Sequence, residues 1–479
     1  MSLTGQVGRN TLIQVVGKIL GTILGLIVIG LLTRYLGTEG YGQYTTIIAY
    51  LGFFSVIADL GLYLIVLREI SKKDAEPEKI LGNVITLRII FAVLILGVGA
   101  IVAFFLDYPP VVKWGILLGT INFVFVALTG VLTSIFQKFL KMYKVIFGEI
   151  FGRLVLLVFT LIFIGLKLNL IFIILSVILG SFANFFLVYR MAVKYVPIRF
   201  LFDFSYWKYI LKETWPLAIS VILNLIYFKI DTVILSLMKP AADVGLYGAS
   251  YKILEVLVTL PNMFVGLILP LLTYYAFLNR EKFIEIFRRA FDFLILVTVP
   301  LVTGGFLLAK PLILLVGGQD FAKAVPIFQI LIFAVGCLFL GSLSGHTIVA
   351  INKQRNMVWG YLTVAALGLV LYLILIPPFS YIGAAVGTVT TEFTIAAIGY
   401  YIILKTMKFA LPYKIFAKSI IASAVMAGFL YAASGFNLII QLVVGAVIYI
   451  GISYVLKSFS KDEVLSIIKI REEEKNHVE

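Results

Sequence analysis

The feature that most constrains this chain is a series of apolar stretches that recurs from one end to the other. Each stretch is about 20–28 residues long, and a helix needs about 20 apolar residues to cross roughly 30 Å of hydrocarbon. A lipid-exposed backbone must satisfy its own polar groups, which helices do. The stretches lack the alternation of polar and apolar residues that a transmembrane β-barrel requires. The sequence therefore predicts an all-α integral membrane protein.

Composition supports this class, because 62% of the 479 residues are hydrophobic and only 13% are charged. Soluble chains carry about 25% charged residues. Fourteen transmembrane helices are predicted, and the connections between them are too short for a soluble catalytic domain. The predicted spans cover residues 10–36, 41–67, 80–106, 111–137, 144–166, 169–189, 213–238, 245–274, 284–309, 321–351, 356–376, 380–404, 413–434 and 436–456.

The basic residues are distributed unevenly over the connections. Most of the 39 lysines and arginines lie before the first span, in the even-numbered connections or after the last span. Because positively charged connections stay in the cytoplasm, we expect a multi-pass protein of the cell (plasma) membrane with both termini cytoplasmic. The net charge of +15 is then a topology signal, with a contribution from binding to membrane lipid. No nucleic-acid partner is predicted.

The chain also repeats itself weakly at a separation of 203 residues. Each half holds six spans, an even number, so both halves enter the membrane from the same side. They are then related by an axis along the membrane normal, as in parallel-repeat transporters. The aligned residues are Thr11 with Thr214, Leu32-Thr33 with Leu235-Ser236, Gly42-Gln43-Tyr44 with Gly245-Leu246-Tyr247, and Asp59 with Asn262.

The repeat predicts a plan of two lobes with additions. Two lobes in parallel pseudo-repeat favour a transporter that works by alternating access, with the substrate near the midplane between the repeats. The predicted parts are an N-terminal six-helix lobe at 1–195, an amphipathic cytoplasmic linker at 196–212, a C-terminal six-helix lobe at 213–407, two additional transmembrane helices at 408–458 and a charged cytoplasmic tail at 459–479.

Several motifs near the start of each half point to one family. The first half contains Leu32-Thr33-Arg34-Tyr35-Leu36-Gly37, Gly40-Tyr41-Gly42-Gln43-Tyr44 and Ala58-Asp59-Leu60-Gly61-Leu62. The second half contains Phe228–Leu235, followed by Gly245-Leu246-Tyr247 and Tyr251-Lys252. Together they resemble the polysaccharide biosynthesis proteins, the Wzx-type lipid-linked oligosaccharide flippases of the multidrug/oligosaccharidyl-lipid/polysaccharide exporter superfamily.

The resemblance implies a function and a set of partners. It implies a flippase, not an enzyme, that moves polyprenyl-diphosphate-linked oligosaccharide from the cytoplasmic to the outer leaflet for cell-surface polysaccharide or glycan assembly. The partners would be the lipid-linked oligosaccharide and, in the membrane, a polysaccharide polymerase or glycosyltransferase. The fold it implies is a pair of six-helix lobes whose interface opens first inward and then outward.

Ionisable residues within the spans are the candidates for function. Each costs about 2.5–3.5 kcal/mol at a span centre, so it normally faces a cavity or a partner. Glu149 with Arg153 at i,i+4 and Lys252 with Glu255 at i,i+3 have the spacing of ion pairs within one helix. The full set is Lys18, Arg88, Arg153, Lys229 and Lys252, with Asp59, Glu149, Asp231, Glu255 and Glu392.

The basic members of this set are predicted to bind the substrate headgroup. A lipid diphosphate cannot cross hydrocarbon without fixed positive charge. Lys18 and Arg88 each lie early in their spans, roughly 12 Å from the cytoplasmic end at 1.5 Å per residue. That depth suits capture from the inner leaflet. Arg153 and Lys252 complete the predicted headgroup-binding set.

The acidic members are predicted to couple transport to an ion. The related peptidoglycan-precursor flippases place a sodium site on the seventh, eleventh and twelfth spans, and the resemblance carries it onto Asp231, Thr391 and Glu392. The eleventh span offers only Thr363, so a proton on a buried carboxylate of raised pKa is the alternative to sodium. Asp59 belongs to the same predicted set. No other cofactor and no metal site are predicted.

Two other functions are weighed against flipping. A cation-coupled multidrug or metabolite exporter of the same superfamily would need an acidic group in the second lobe and no basic groups in the first. A membrane glycosyltransferase or ligase would need a sizeable external loop with catalytic residues. The external loops carry only the isolated Asp107, Asp243 and Asp320, which argues against an enzyme.

Overall fold

The computed structural model describes residues 3–59, 61–72 and 74–458, without the side chains of 3–12, 63–64 and 215–228. The predicted tail at 459–479 lies outside these residues. Within them, every regular element is a helix. The helices are α1 (Leu3–Asp59), α2 (Leu62–Ile70), α3 (Pro77–Phe105), α4 (Pro110–Lys138), α5 (Tyr143–Gly165), α6 (Leu170–Ala192), α7 (Phe204–Met238), α8 (Ala241–Leu278), α9 (Arg280–Leu307), α10 (Ala309–Gly317), a 3-10 turn (Gln319–Ala324), α11 (Val325–Ala350), α12 (Gln354–Met407), α13 (Lys414–Ala432) and α14 (Leu438–Val455).

Eleven helices of the described part are long and apolar enough to cross a membrane. Two of these contain a kink: α1 covers the first predicted span and most of the second, and α12 covers the eleventh and twelfth. The kink of α1 falls at Gly37 (φ 65°), in the predicted connection, and that of α12 falls at Ser380 (φ 48°), the first residue of the predicted twelfth span. The seventh predicted span lies in α7, where the side chains of 215–228 are not described. The prediction of an all-α membrane protein is confirmed.

The second predicted span, residues 41–67, is divided in the structure. Its first part completes α1, which ends at Asp59, and its last part belongs to α2, which begins at Leu62. Gly61 lies between them with φ of 70°, a left-handed conformation that glycine adopts without steric cost. The glycine in the Ala58–Leu62 motif therefore separates the two helices.

The amphipathic segment before the seventh span is not a separate helix. It forms the first turns of α7, which runs without interruption from Phe204 to Met238. Asp203 caps this helix, its carboxylate accepting a hydrogen bond from Tyr206 N at 3.0 Å. Ile210 is fully buried and packs against Leu62 of α2 and Leu87 of α3. Packing on these helices thus positions the start of α7, which includes the last residues of the predicted linker at 196–212.

The chain divides into two compact units. The first contains residues 1–249, 315–323 and 361–387, and the second contains residues 250–314, 324–360 and 388–479. In the first unit, a buried apolar cluster joins α2, α3, α4 and α6 around Phe136 and Leu81. In the second unit, α13 and α14 pack together with Leu308 through Met426 and Tyr449.

Candidate functional site

Three of the predicted intramembrane charges form one group between α1 and α5. Arg153 Nη2 lies 2.8 Å from Glu149 Oε1, so the predicted i,i+4 ion pair is confirmed. Lys18 Nζ lies 4.0 Å from the same carboxylate oxygen. All three side chains are about one-third to one-half exposed. Two cations therefore share one carboxylate, and the group keeps a net positive charge at an accessible position.

Glycines on α1 make room for this group. A Cβ at Gly25 would lie 2.8 Å from Arg153 Nη1, and one at Gly21 would lie 3.3 Å from Arg153 Nε. Arg153 Nη1 donates a hydrogen bond to Gly21 O at 2.8 Å. A Cβ at Gly17 would overlap Ile146 of α5. Three glycines at i,i+4 spacing are typical of close helix contacts in membranes. This pattern is present in the sequence but was not among the predicted features.

Arg88 has a different environment. Its guanidinium is buried, forms an ion pair with the carboxylate of Asp59 and donates a hydrogen bond to Ala58 O at 3.1 Å. Its Nε is buried without a hydrogen-bond partner among the described atoms. The sequence placed Arg88 with Lys18 as a headgroup ligand and Asp59 with the coupling acids. The structure joins Arg88 to Asp59 and leaves Lys18 in the group around Glu149.

Lys252 of the second unit is paired within its own helix. Its Nζ lies 2.8 Å from Glu255 Oε2, which confirms the predicted i,i+3 contact. The pair is local to α8, whereas the group around Glu149 joins α5 to Lys18 of α1.

Asp231 of α7 is a buried carboxylate surrounded by hydroxyl groups. Its Oδ1 accepts hydrogen bonds from the backbone N and the hydroxyl of Thr232, and its Oδ2 accepts one from Tyr247 Oη at 2.6 Å. Tyr247 is fully buried. In the sequence Tyr247 stands out only as part of a repeated motif, and nothing there indicates its contact with Asp231. The contact joins residues 16 positions apart on different helices.

The predicted coupling residues of the twelfth span lie on α12 in the second unit, whereas Asp231 belongs to the first unit. Glu392 is buried. Thr391 donates its hydroxyl to Thr388 O at 2.9 Å, a bond within the helix. Among the described residues, no group of three or more histidine, cysteine or acidic side chains is arranged to hold a metal ion.

The Leu32–Gly37 motif has a structural role at the kink of α1. Thr33 Oγ1 donates a hydrogen bond to Val316 O at 2.8 Å, and Arg34 Nη2 donates one to Leu315 O at 2.7 Å. These carbonyls lie in the last turn of α10, where no further helical turn satisfies them. Tyr35 Oη donates to Leu168 O at 2.7 Å. The motif therefore supplies hydrogen-bond donors to backbone carbonyls near the kink of α1.

Solved structures show the same fold. A lipid II flippase MurJ in the inward closed conformation is 17% identical with a TM-score of 0.78, and the match covers 92% of this chain and 98% of that one. An inward-facing multidrug resistance MATE family transporter of the MOP superfamily is 14% identical with a TM-score of 0.66, over 83% and 99% of the two chains. The first of these proteins is a flippase and the second a transporter.

A third similar structure is a MOP superfamily transporter from Pyrococcus furiosus Vc1 (DSM3638), whose description reports a binding pocket of reverse polarity. It is 14% identical with a TM-score of 0.58, over 85% of this chain and 97% of that one. No curated protein is similar enough to be matched by sequence. The family model described as "Polysaccharide biosynthesis protein" matches residues 7–275, more than half of the chain. The chain therefore belongs to the polysaccharide biosynthesis protein family, with the fold of the MOP superfamily transporters.

Proposed function

We propose that this protein flips a polyprenyl-diphosphate-linked oligosaccharide from the cytoplasmic to the outer leaflet of the cell membrane by alternating access. The translocated glycan would feed the assembly of a cell-surface polysaccharide. Family membership supports this proposal, as does the fold shared with a lipid II flippase. Both termini would be cytoplasmic, and a membrane polymerase or glycosyltransferase would use the product.

The observation that carries the proposal is the group formed by Lys18, Glu149 and Arg153. Its two cations meet a single carboxylate at a part-exposed position on α1 and α5. A diphosphate supplies the negative charge that this group lacks, and its oxygens accept charge-assisted hydrogen bonds from both bases. In our proposal Lys18 and Arg153 are the main headgroup ligands. Arg88, which is buried against Asp59, and Lys252, which pairs with Glu255, contribute less.

The coupling ion would act at a buried carboxylate. Asp231 and Glu392 are both nearly inaccessible, and Asp231 accepts hydrogen bonds from Thr232 and Tyr247. We propose Asp231 and Glu392 as the proton- or sodium-linked groups, with Thr391 as a neighbour of Glu392. Asp59, which pairs with Arg88, would act in coupling only when that pair opens.

The test is transport in proteoliposomes that hold a fluorescent polyprenyl-diphosphate sugar. Flipped substrate is measured by its accessibility to a membrane-impermeant quencher, with and without a proton or sodium gradient. Replacing both Lys18→Ala and Arg153→Ala should reduce flipping by roughly 100-fold or more, since a hydrogen bond to a charged group is worth about 1.5–3 kcal/mol. Undiminished flipping by this double variant would contradict the headgroup site.

The matched control is Arg289→Ala in α9. Arg289 pairs with Glu285 at 2.6 Å with the same i,i+4 spacing as Arg153 and Glu149. The flipping rate of Arg289→Ala should stay within about twofold of the parent's, because exposed ion pairs of this kind contribute about 0.3–0.5 kcal/mol. Efflux of an ethidium-type cation instead of lipid flipping, unaffected by Lys18→Ala, would favour the multidrug exporter.

A further inference from the structure

The two halves of the repeat meet at two glycines, Gly42 in α1 and Gly245 in α8. A Cβ at Gly42 would overlap the carbonyl of Ala241 and lie 2.9 Å from Gly245 N. A Cβ at Gly245 would overlap the carbonyl of Thr38 and lie 3.0 Å from Gly42 N. The two backbones are therefore in direct contact, and no larger residue fits at either position without moving a helix.

This contact is reciprocal. Gly42 and Gly245 are equivalent in the repeat, and so are Thr38 and Ala241, which have the same separation of 203 residues. A Cβ at Gly42 would meet the carbonyl of Ala241, and a Cβ at Gly245 would meet the carbonyl of Thr38, so the two contacts are equivalent in the repeat. A contact in which residue i meets j and j meets i is the geometric mark of a two-fold axis. The pseudo-symmetry axis of the repeat therefore passes through this crossing.

A second equivalent pair lies one turn further along the helices. A Cβ at Gly248 would lie 3.2 Å from the Cβ of Thr45, and these two positions are again 203 residues apart. The crossing therefore extends over two layers, Gly42 with Gly245 and Thr45 with Gly248. We refer to these four residues as the glycine crossing.

Hydrogen bonds next to the glycine crossing follow the same symmetry. Thr33 and Ser236 are equivalent in the repeat. The Thr33 hydroxyl donates to Val316 O at 2.8 Å, in the second half of the chain. The Ser236 hydroxyl is 2.8 Å from Tyr108 Oη, in the first half. Each half thus uses the same position to bind the connection between the third and fourth spans of the other half.

We propose that the glycine crossing is the gate that closes the transport path at the membrane face opposite the N-terminus. This inference rests on the alternating access of the proposed function. The first span runs from the N-terminal side to the kink at Gly37, so residues just beyond the kink lie at the far face. A transporter whose halves tilt apart at one membrane face to open the path there must separate the contact at that face in every cycle.

The chemistry of the glycine crossing suits repeated opening. Close backbone packing without interlocking side chains lets two helices separate and return without rotamer rearrangement. The flanking polar contacts of Thr33 and Ser236 involve neutral hydroxyls, and each such bond contributes only about 0.5–1.5 kcal/mol. Ion pairs buried at the same position would be far more costly to break.

The first test is a reversible cross-link. The variant carries Thr45→Cys and Gly248→Cys, with Cys337→Ala to remove the chain's single cysteine. The two Cβ atoms are close to the spacing that a disulfide requires, so mild oxidation of membranes should cross-link most of the protein. We expect flipping in proteoliposomes to fall at least tenfold on oxidation and to recover on reduction. Cross-linked protein that still transports, or failure to cross-link, overturns the gate.

The second test needs no substrate. Thr46 is almost fully buried one turn beyond Gly42, so Thr46→Cys, in the Cys337→Ala background, reports opening by its reaction with a membrane-impermeant maleimide. Gly42→Ala or Gly245→Ala should raise the labelling rate roughly tenfold, because one methyl group of overpacking costs about 1–3 kcal/mol. The two substitutions together should add little, since the first already separates the helices.

Two controls make the labelling result specific. Gly52→Ala adds a methyl group on α1 where no neighbouring atom lies within 4 Å. Gly152→Ala disturbs another tight glycine contact, since a Cβ there would lie 2.7 Å from Gly180 O, but that contact lies within one half of the chain. Both controls should leave the labelling rate unchanged. Equal labelling in Gly42→Ala and parent overturns the gate, whereas raised labelling without lipid flipping overturns only the proposed substrate.

Discussion

Two ion groups of the first six helices look alike in the sequence and differ in the structure. Lys18 and Arg88 each lie early in a predicted span, and both were assigned to the substrate headgroup. Arg88 is buried against Asp59, one cation to one carboxylate. Lys18 shares Glu149 with Arg153 at an accessible position. We therefore propose that burial and charge ratio, rather than depth in the membrane, distinguish a pair that stabilises the fold from a group that binds an anion.

The largest expected effect comes from breaking the buried pair. Asp59→Asn leaves the Arg88 charge buried without its carboxylate, and removing one partner of a buried ion pair costs about 3–5 kcal/mol. Purified Asp59→Asn protein should therefore melt many degrees below the parent. The corresponding change in the accessible group, Glu149→Gln, should lower the melting temperature only slightly, because Lys18 and Arg153 are only part-buried.

A double variant tests whether the unpaired buried charge of Arg88 causes the lower melting temperature of Asp59→Asn. Replacing the pair by Asp59→Asn with Arg88→Met removes the buried charge itself, and such replacements are often neutral or stabilising. The melting temperature of the double variant should lie closer to that of the parent than to that of Asp59→Asn. A double variant as unstable as Asp59→Asn alone would show that the pair is not the source of the effect.

The next effect concerns binding by the accessible group. Glu149→Gln removes the carboxylate that competes for Lys18 and Arg153, so the affinity for inorganic diphosphate should rise by about tenfold, the equivalent of 1.4 kcal/mol. Calorimetric titration in detergent at low salt measures this. Glu255→Gln, which removes the carboxylate beside Lys252, is the variant whose diphosphate affinity is compared. Weaker diphosphate binding in Glu149→Gln than in the parent would contradict the proposed headgroup site.

The smallest effect concerns a third ion group outside the spans, at the end of α2. Glu69 is buried, accepting hydrogen bonds from Lys72 Nζ at 2.6 Å and Arg68 Nη2 at 3.2 Å. Burial raises the pKa of Glu69, but the bonds from Lys72 and Arg68 outweigh it and leave the pKa below its ordinary value. Its stabilising contribution is then present above about pH 4.3 and is lost as the pH falls through the lowered pKa.

Glu69→Gln should therefore remove part of the fall in melting temperature between neutral and acidic pH. The effect should stay below about 1 kcal/mol, because Lys72 and Arg68 are exposed. Melting curves of the variant and parent from pH 7 to pH 3 measure it. The exposed Glu76→Gln on the same connection serves as the reference, and an identical pH profile for parent and Glu69→Gln would contradict the assignment.

Much of the candidate site could be predicted where residues lie on one helix. The ion pairs of Glu149 with Arg153 and of Lys252 with Glu255 follow from spacing alone, because i,i+3 and i,i+4 side chains share a helix face. The Asp231–Tyr247 contact could not be predicted, since it joins two helices. The amphipathic pattern predicts a linker at 196–212 but not its neighbours. In the structure the last residues of that segment begin α7, and Ile210 packs on α2 and α3.

The sequence by itself determined the class of the protein, its transmembrane helices and the equivalence of its halves. These follow from local rules, namely the length of apolar stretches and a helix rise of 1.5 Å per residue. Only the tertiary structure decided that Gly42 meets its own equivalent, Gly245, and that Arg88 pairs with Asp59 while Lys18 turns to Glu149. The physical reason is that contacts between helices depend on how each helix is rotated and packed, and in lipid no alternation of polar and apolar faces records that rotation in the sequence.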